Sequence, residues 1–140
     1  MIGALLVKRM VPAAFEATNQ HDIEAVLKNY SEDIILVYPG NVSVSGTYRG
    51  KDEVRAFLQR WFDQFPSVCF TVKSVTVSNL FDLIGNNVVA IEYEVDVVNR
   101  DGLEFHNSGV TVATIRRGKA VFSQDYFSDT GENLRAVWGE

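Results

Sequence analysis

Apolar and polar residues alternate with two different periods along the chain, and the change of period divides the chain into two parts. In residues 2–19 the apolar positions recur every three or four residues, which predicts a helix that Pro12 should kink or restart. A second, short helix is expected to begin at about Asp22, whose carboxylate can cap its first turn, and to end within residues 31–33. The first part of the chain is therefore predicted to be mainly helical.

The third helix has the clearest pattern of the three. It places a row of large apolar side chains on one face, with two acids at its start and Pro66 after its end. The row comprises Val54, Phe57, Leu58, Trp61, Phe62 and Phe65. Before this helix, residues 34–38 are a short apolar run rich in β-branched residues that stops at a Pro-Gly turn, and this pattern predicts a strand. Residues 41–50 are expected to form a loop or an irregular hairpin.

From residue 68 onward the period is two, which is typical of strands. Four long strands are predicted over residues 68–79, 87–99, 103–116 and 120–128, with turn sequences between them. A last helical turn is expected within residues 130–138. Helices followed by a meander of antiparallel strands predict an α+β fold, and 140 residues suit a single domain spanning 1–140.

Composition narrows the class of partners. The formal charge is −5 and the 13 lysine and arginine residues are scattered, which argues against a nucleic-acid surface. No apolar run approaches the roughly 20 residues that span a bilayer, so no membrane partner is expected. Cys69, the only cysteine, is expected to be a buried strand residue, and its isolation favours a reducing, cytoplasmic location. The two histidines are far apart and no phosphate loop is found, so neither a metal site nor a cofactor is predicted.

The segment VFSQDYFSD, residues 121–129, contains the main candidate for chemistry. Asp125 lies there among the aromatic residues Phe122, Tyr126 and Phe127. Burial among apolar side chains raises the pKa of a carboxyl group, which suits it to proton transfer near neutral pH. The alternative is a structural role, in which Asp125 only bonds a helix end or the region of Ser123.

The strand predicted over residues 87–99 has two faces of different character. One face carries Val89, Ile91, Tyr93, Val95 and Val97, and the other carries Ala90, Glu92, Glu94, Asp96 and Val98. Alternation alone places the first face on the core and the acids in water.

Three segments, in this order, resemble the nuclear transport factor 2-like superfamily in its SnoaL-like and ketosteroid isomerase-like branches. They are Asn19 with HDIEAVLKNYSED (21–33), GTYRGKDEVRAFL (46–58) and RRGKAVFSQDYFSD (116–129). The resemblance implies a strongly curved sheet wrapped over helices. Such a sheet forms a cone whose mouth holds a small apolar molecule, and its convex face commonly forms a homodimer. The face of residues 87–99 that carries Val89 is called the Val89 row below. If a partner covered the Val89 row, Glu94 and Asp96 would turn inward beside Asn107 and Asp125.

A local similarity to limonene epoxide hydrolase points to the same acids. That chemistry uses two carboxylates bridged by an arginine, and Asp96 in EVDV and Asp125 in QDYF match the two carboxylates. Glu94 stands where the arginine would be. The similarity to SnoaL-like cyclases implies an acid/base role for Asp125, whereas the functional positions of ketosteroid isomerase are not kept.

The residues and the resemblance together predict a cofactor-free acid/base enzyme that acts on a small apolar compound by isomerisation, cyclisation or water addition. Asp125 and Asp96 are its expected catalytic residues. The expected substrate-binding residues are Tyr38, Phe57, Trp61, Asn107 and Phe127. A non-catalytic ligand-binding or assembly domain and an epoxide hydrolase with altered machinery are the alternatives.

Overall fold

The computed structural model describes residues 2–140 and contains four helices and one six-stranded sheet in that part of the chain. The helices are α1 (Ile2–Asn19), α2 (Ile23–Leu27), α3 (Gly50–Gln64) and α4 (Glu132–Val137). The strands are β1 (Tyr30–Tyr38), β2 (Gly46–Arg49), β3 (Ser67–Val77), β4 (Asn87–Val98), β5 (Glu104–Arg116) and β6 (Lys119–Phe127). Their order across the sheet is β2-β1-β6-β5-β4-β3.

The sheet is mixed and open. β1 and β6 run parallel, and every other neighbouring pair is antiparallel. The helices α1 and α3 cover one face of this curved sheet, where the buried apolar residues form one core. The predicted α+β architecture, with N-terminal helices against a mostly antiparallel sheet, is confirmed.

The helical half follows the sequence pattern with two differences. α1 continues through Pro12, so the helix does not restart there. Asp22 caps α2 as predicted, because its Oδ1 accepts a hydrogen bond from the Ala25 amide at 3.1 Å. The second helix ends at Leu27, so the predicted end within residues 31–33 is wrong. Those residues join β1, which pairs with β6. The Ala120 amide of β6 also donates to the carbonyl of Asn29, the residue before β1.

The face of β4 that carries Val89 and Tyr93 is buried against the helices, and these two side chains are 0% and 1% exposed. Phe15 of α1 packs on the Tyr93 ring with centroids 5.5 Å apart. Because successive side chains alternate, Glu94 and Asp96 lie on the opposite, outer face. The expectation that these two acids turn inward is therefore wrong, and the assignment by alternation alone is correct.

The outer face of the sheet differs from the expectation in two further ways. Cys69 is exposed there, so its predicted burial is wrong. The Val89 row cannot be the surface that a partner covers, because the helices of the same chain already cover it. The homodimer stays a prediction, and it now depends on the outer face, where Val110, Val112 and Phe122 are half-buried.

Within residues 2–140, no helix is long and apolar enough to cross a membrane.

Candidate functional site

A cavity of about 160 Å³ lies between α1, α3 and the inner face of the sheet. Its wall is mainly apolar, with side chains from α1, α2 and α3 and from five strands. Asp125 is the one acid of residues 2–140 that lines the cavity, and the hydroxyl groups of Thr111 and Tyr93, also on the wall, bond to it. An apolar chamber with a few convergent polar groups is the usual form of a small-molecule site.

Asp125 is positioned by hydrogen bonds from two neighbouring strands. Thr111 of β5 lies directly opposite Asp125 of β6, and its hydroxyl donates to the carboxylate Oδ1. The Tyr93 hydroxyl of β4 donates to the same oxygen at 3.2 Å. Within residues 2–140, both hydrogen bonds of this carboxylate end on Oδ1, so Oδ2 is left for a ligand in the cavity.

Burial controls the proton affinity of this group. It raises the pKa of Asp125 from its ordinary value of 3.8 to about 6, although the bonds from Thr111 and Tyr93 act in the opposite direction. Burial also raises the pKa of the Tyr93, Tyr30 and Tyr38 hydroxyls, and the negative charge of Asp125 adds to this effect. The carboxyl therefore titrates near neutral pH while the surrounding phenols keep their protons.

Gly109 makes room for the bond between Tyr93 and Asp125. It pairs with Tyr93 across the sheet, and a Cβ at this position would lie 2.9 Å from the Tyr93 Oη. The same Cβ would lie 2.7 Å from the Tyr126 carbonyl oxygen, which is backbone and cannot rotate away. A glycine inside a strand often marks such a close approach.

Gly109→Ala is therefore expected to destabilise the fold by about 1–3 kcal/mol and to displace the Tyr93 ring. The free energy of unfolding in urea measures the first effect, and the chemical shift of the Tyr93 ring measures the second. Ser108→Ala, at the neighbouring position of β5 but on the outer face, is the control, and it should cost only the hydroxyl contact with Ser128 at 2.6 Å and leave the Tyr93 ring in place. A Gly109→Ala protein as stable as the parent would show that the strand relaxes without strain.

Four of the five predicted binding residues lie on the cavity wall. These are Tyr38, Phe57, Trp61 and Phe127. The Trp61 Nε1 donates to the Tyr38 Oη at 3.3 Å, which joins α3 to β1 beside the cavity. The fifth, Asn107, lies away from the cavity. Its side chain donates to the Asp129 carbonyl at 3.0 Å and accepts from the Asp129 amide at 3.1 Å, so it anchors the segment after β6.

Asp96 is separated from Asp125 by the sheet itself. Its side chain is 68% exposed, and its Oδ1 lies 2.7 Å from the Nδ1 of His106, the residue opposite it on β5. The two carboxylates predicted to act together are thus on different faces of the sheet. Among the described residues, 2–140, no group of three or more His, Cys, Asp or Glu side chains could hold a metal ion.

Two residues of the site were missed at the level of sequence. Tyr93 was assigned to the face that a partner would cover, and Thr111 was given no role, although both line the cavity. The signal for both was present in the alternation, since Tyr93 shares a face with Val89 and Thr111 shares one with Ala113. Gly109, a glycine in the middle of a long predicted strand, was a further signal, because such a glycine often marks a close approach of another group.

Comparisons with known proteins agree with this fold. A model described as the SnoaL-like domain matches residues 11–122, whereas a comparison with curated sequences returns no significant match. A nuclear transport factor 2-like protein of unknown function from Burkholderia pseudomallei is 22% identical, with 94% of this chain and 97% of that chain covered and a TM-score of 0.81. Bal32a, from a soil-derived mobile gene cassette, is 17% identical, with 97% and 98% covered and a TM-score of 0.83. A candidate isomerase from Bacillus subtilis is 19% identical, with 99% and 96% covered and a TM-score of 0.79.

The likeness to these structures concerns the fold, because the identities are low and one fold hosts many activities. The family model covers most of the chain and ends shortly before Asp125. From the helical first half, the curved mixed sheet and this match, we conclude that the chain belongs to the SnoaL-like family.

Proposed function

We propose that this protein binds a small, largely apolar molecule in the cavity and that Asp125 transfers a proton to or from it. The observation that carries this proposal is the Asp125 carboxylate on the wall of an apolar chamber, with one oxygen fixed by Thr111 and Tyr93. A half-buried carboxyl group on an apolar wall costs folding free energy, and groups of this kind concentrate at functional sites.

The arrangement suits acid/base chemistry without a metal or a cofactor. A pKa of about 6 gives Asp125 substantial amounts of both protonation states near neutral pH, so Oδ2 can accept or donate a proton. The hydroxyls of Tyr30 and Tyr38 stay protonated on the same wall and can donate to an oxygen of the ligand. One acid/base group with nearby donors supports an isomerisation, an intramolecular cyclisation or an addition of water.

The volume of the cavity limits the size of the ligand. About 160 Å³ is close to the roughly 150 Å³ of an engineered apolar cavity that accepts benzene. The chamber therefore fits one six-membered ring with short substituents. We propose a single-ring compound with an oxygen-containing group that reaches Asp125, rather than a fused polycyclic compound.

The alternatives differ in how well they fit this geometry. Epoxide hydrolysis by two carboxylates needs a second acid at the reacting centre, and Asp96 lies on the outer face. A non-catalytic binding domain fits the cavity equally well but gives no reason for a half-buried carboxyl group with a free oxygen on an apolar wall. We therefore favour the acid/base enzyme.

A series of ligands of increasing size tests the proposed binding. We expect cyclohexanone and substituted phenols to raise the melting temperature, because a ligand at 100 times its Kd adds ~2.7 kcal/mol to the free energy of unfolding. Naphthols and steroid ketones should give little or no shift. Thermal denaturation followed by circular dichroism measures both effects.

Filling the cavity provides the matched control for this series. Ala113→Leu places three further carbons in the chamber and should remove the shift caused by a single-ring compound. Ala136→Leu makes the same change on the exposed surface of α4 and should leave the shift intact. If steroid ketones stabilised the protein as much as cyclohexanone, the single-ring proposal would be overturned.

A further inference from the structure

Six large apolar side chains are exposed at one end of the molecule. Leu80, Phe81, Leu83 and Ile84 in the loop between β3 and β4 are 59%, 80%, 70% and 68% exposed, and Leu5 and Leu6 of α1 are each 53% exposed. Single exposed apolar residues are ordinary, but a contiguous patch of this kind marks an interaction surface. This set of six is called the apolar end below.

The loop of the apolar end has a fixed internal structure. The Asp82 Oδ1 accepts hydrogen bonds from the amides of Ile84, Gly85 and Asn86, each at 3.0 Å. A Cβ at Gly3 would lie 2.8 Å from the Gly85 nitrogen, so the loop packs tightly on the start of α1. The exposed side chains are therefore presented by an ordered turn.

The same end carries a concentration of positive charge. Lys8 and Arg9 flank Leu5 and Leu6 on the exposed side of α1, at the three- and four-residue spacings that place side chains together. The turn between β5 and β6 contacts the loop, since the Gly118 amide donates to the Gly85 carbonyl at 3.1 Å.

The turn between β5 and β6 adds two exposed cations to this end of the molecule, Arg116 and Arg117, and Lys119 follows the turn. In residues 2–9, 78–86 and 116–119 the sequence holds these five cations and a single acid, Asp82, although the whole chain has a charge of −5. Among residues 2–140, no carboxylate lies within ion-pair distance of Lys8, Arg9, Arg116 or Arg117.

We propose that this end of the protein docks on an anionic lipid bilayer, with the apolar loop in the interfacial region and the surrounding cations on the lipid headgroups. A bilayer of this kind accepts both components of the surface, because apolar side chains enter the acyl boundary while lysine and arginine bind anionic headgroups. A second copy of the chain is a poorer partner, since a symmetric contact would bring these cations against their equivalents. The proposal departs from the sequence-based expectation of no membrane partner, which rested on the lack of a segment long enough to span a bilayer. It concerns peripheral contact and does not depend on the function of the cavity.

Vesicle co-sedimentation tests the proposal. We expect the protein to sediment with phosphatidylcholine vesicles that contain phosphatidylglycerol, to stay in the supernatant with pure phosphatidylcholine, and to be released by added salt. Arg116→Gln combined with Arg117→Gln should lower the partition coefficient by about 25-fold, because each cation contributes about fivefold. Phe81→Ser and, separately, Leu83→Ser should each lower it about tenfold.

Matched control variants lie at the other end of the strands, in the turn between β4 and β5. Leu103→Ser and Arg100→Gln remove an exposed leucine and an exposed arginine there and should leave sedimentation unchanged. Equal sedimentation with both kinds of vesicle, or with neither, would overturn the proposal. So would a dimer in solution that Phe81→Ser disperses, because the apolar end would then be a contact between copies of this chain.

Discussion

Replacing Asp125 by asparagine is expected to lower turnover of a single-ring substrate by about 10²- to 10⁴-fold, which is the usual contribution of a general acid or base. Asparagine has nearly the same shape, and its carbonyl oxygen can accept the bonds from Thr111 and Tyr93. It cannot exchange a proton near neutral pH. We therefore expect kcat to fall while binding of the ligand, measured by thermal shift, changes little.

Asp96→Asn is the matched control for this experiment. It removes the same kind of carboxylate from the outer face, where the side chain contacts His106, and should leave kcat unchanged. If both variants lost turnover equally, the loss would not be due to proton transfer at the cavity. If Asp125→Asn kept full turnover, Asp125 would have no part in the chemistry and the binding-domain alternative would stand.

The pH dependence of kcat/KM separates the two possible roles of the carboxyl group. If Asp125 acts as a base, the rate should rise as the pH passes about 6, and if it acts as an acid, the rate should fall there. The bond from Tyr93 lowers the pKa of Asp125, so Tyr93→Phe should move the midpoint to higher pH. A midpoint that does not respond to Tyr93→Phe would assign the titration to another group.

The sequence predicts the elements of this fold well because their signals are local. The second long strand was expected over residues 87–99 and is Asn87–Val98, bounded by turn residues on both sides. The cap of α2 needs only Asp22 and the amide three residues later. Alternation along β6 likewise placed Asp125 and Phe127 on one face without knowledge of the neighbouring strands.

The face of β4 was harder to assign because it depends on what packs against it. Alternation showed that Val89 and Tyr93 share a face, and the expected dimer then assigned that face to a partner. In the structure the helices of the same chain cover it, and Asp96 faces outward. The apparent pair of carboxylates was thus a product of the expected dimer, which turned the wrong face of β4 toward the cavity.

The shape of the cavity also could not be read from the sequence. Its volume depends on how closely α1 and α3 approach the sheet, and contacts between aromatic rings set that approach. The ring centroids of Phe15 and Phe70 are 5.3 Å apart, and those of Tyr38 and Phe57 are 5.2 Å apart. Aromatic residues at helical spacing indicate a packed face whether or not a space remains beneath them. The pattern therefore identified wall residues without predicting the size of the ligand.

Asp125→Asn is also expected to be more stable than the parent at neutral pH. Folding raises the pKa of Asp125 from 3.8 to about 6, so in this interval the folded state binds more protons than the unfolded state. The stability of the parent therefore falls as the pH rises from about 4 to about 6 and stays lower above that range. The pKa change corresponds to about 3 kcal/mol of stability. Asp125→Asn should therefore be more stable than the parent by about this amount at about pH 7, and the difference should vanish below about pH 4.

Urea denaturation of both proteins across this pH range measures the difference in the free energy of unfolding. Asp129→Asn is the control, and its stability at neutral pH is expected to change in the opposite direction. The side chain of Asn133 and the amide of Gly131 bond the Asp129 carboxylate and hold its pKa below the ordinary value. Removing that charge should lower stability at neutral pH, and the loss should disappear in acid. If Asp125→Asn were instead less stable than the parent at neutral pH, the carboxylate would be a net stabilising element of the fold. Its burial would then no longer argue for a function.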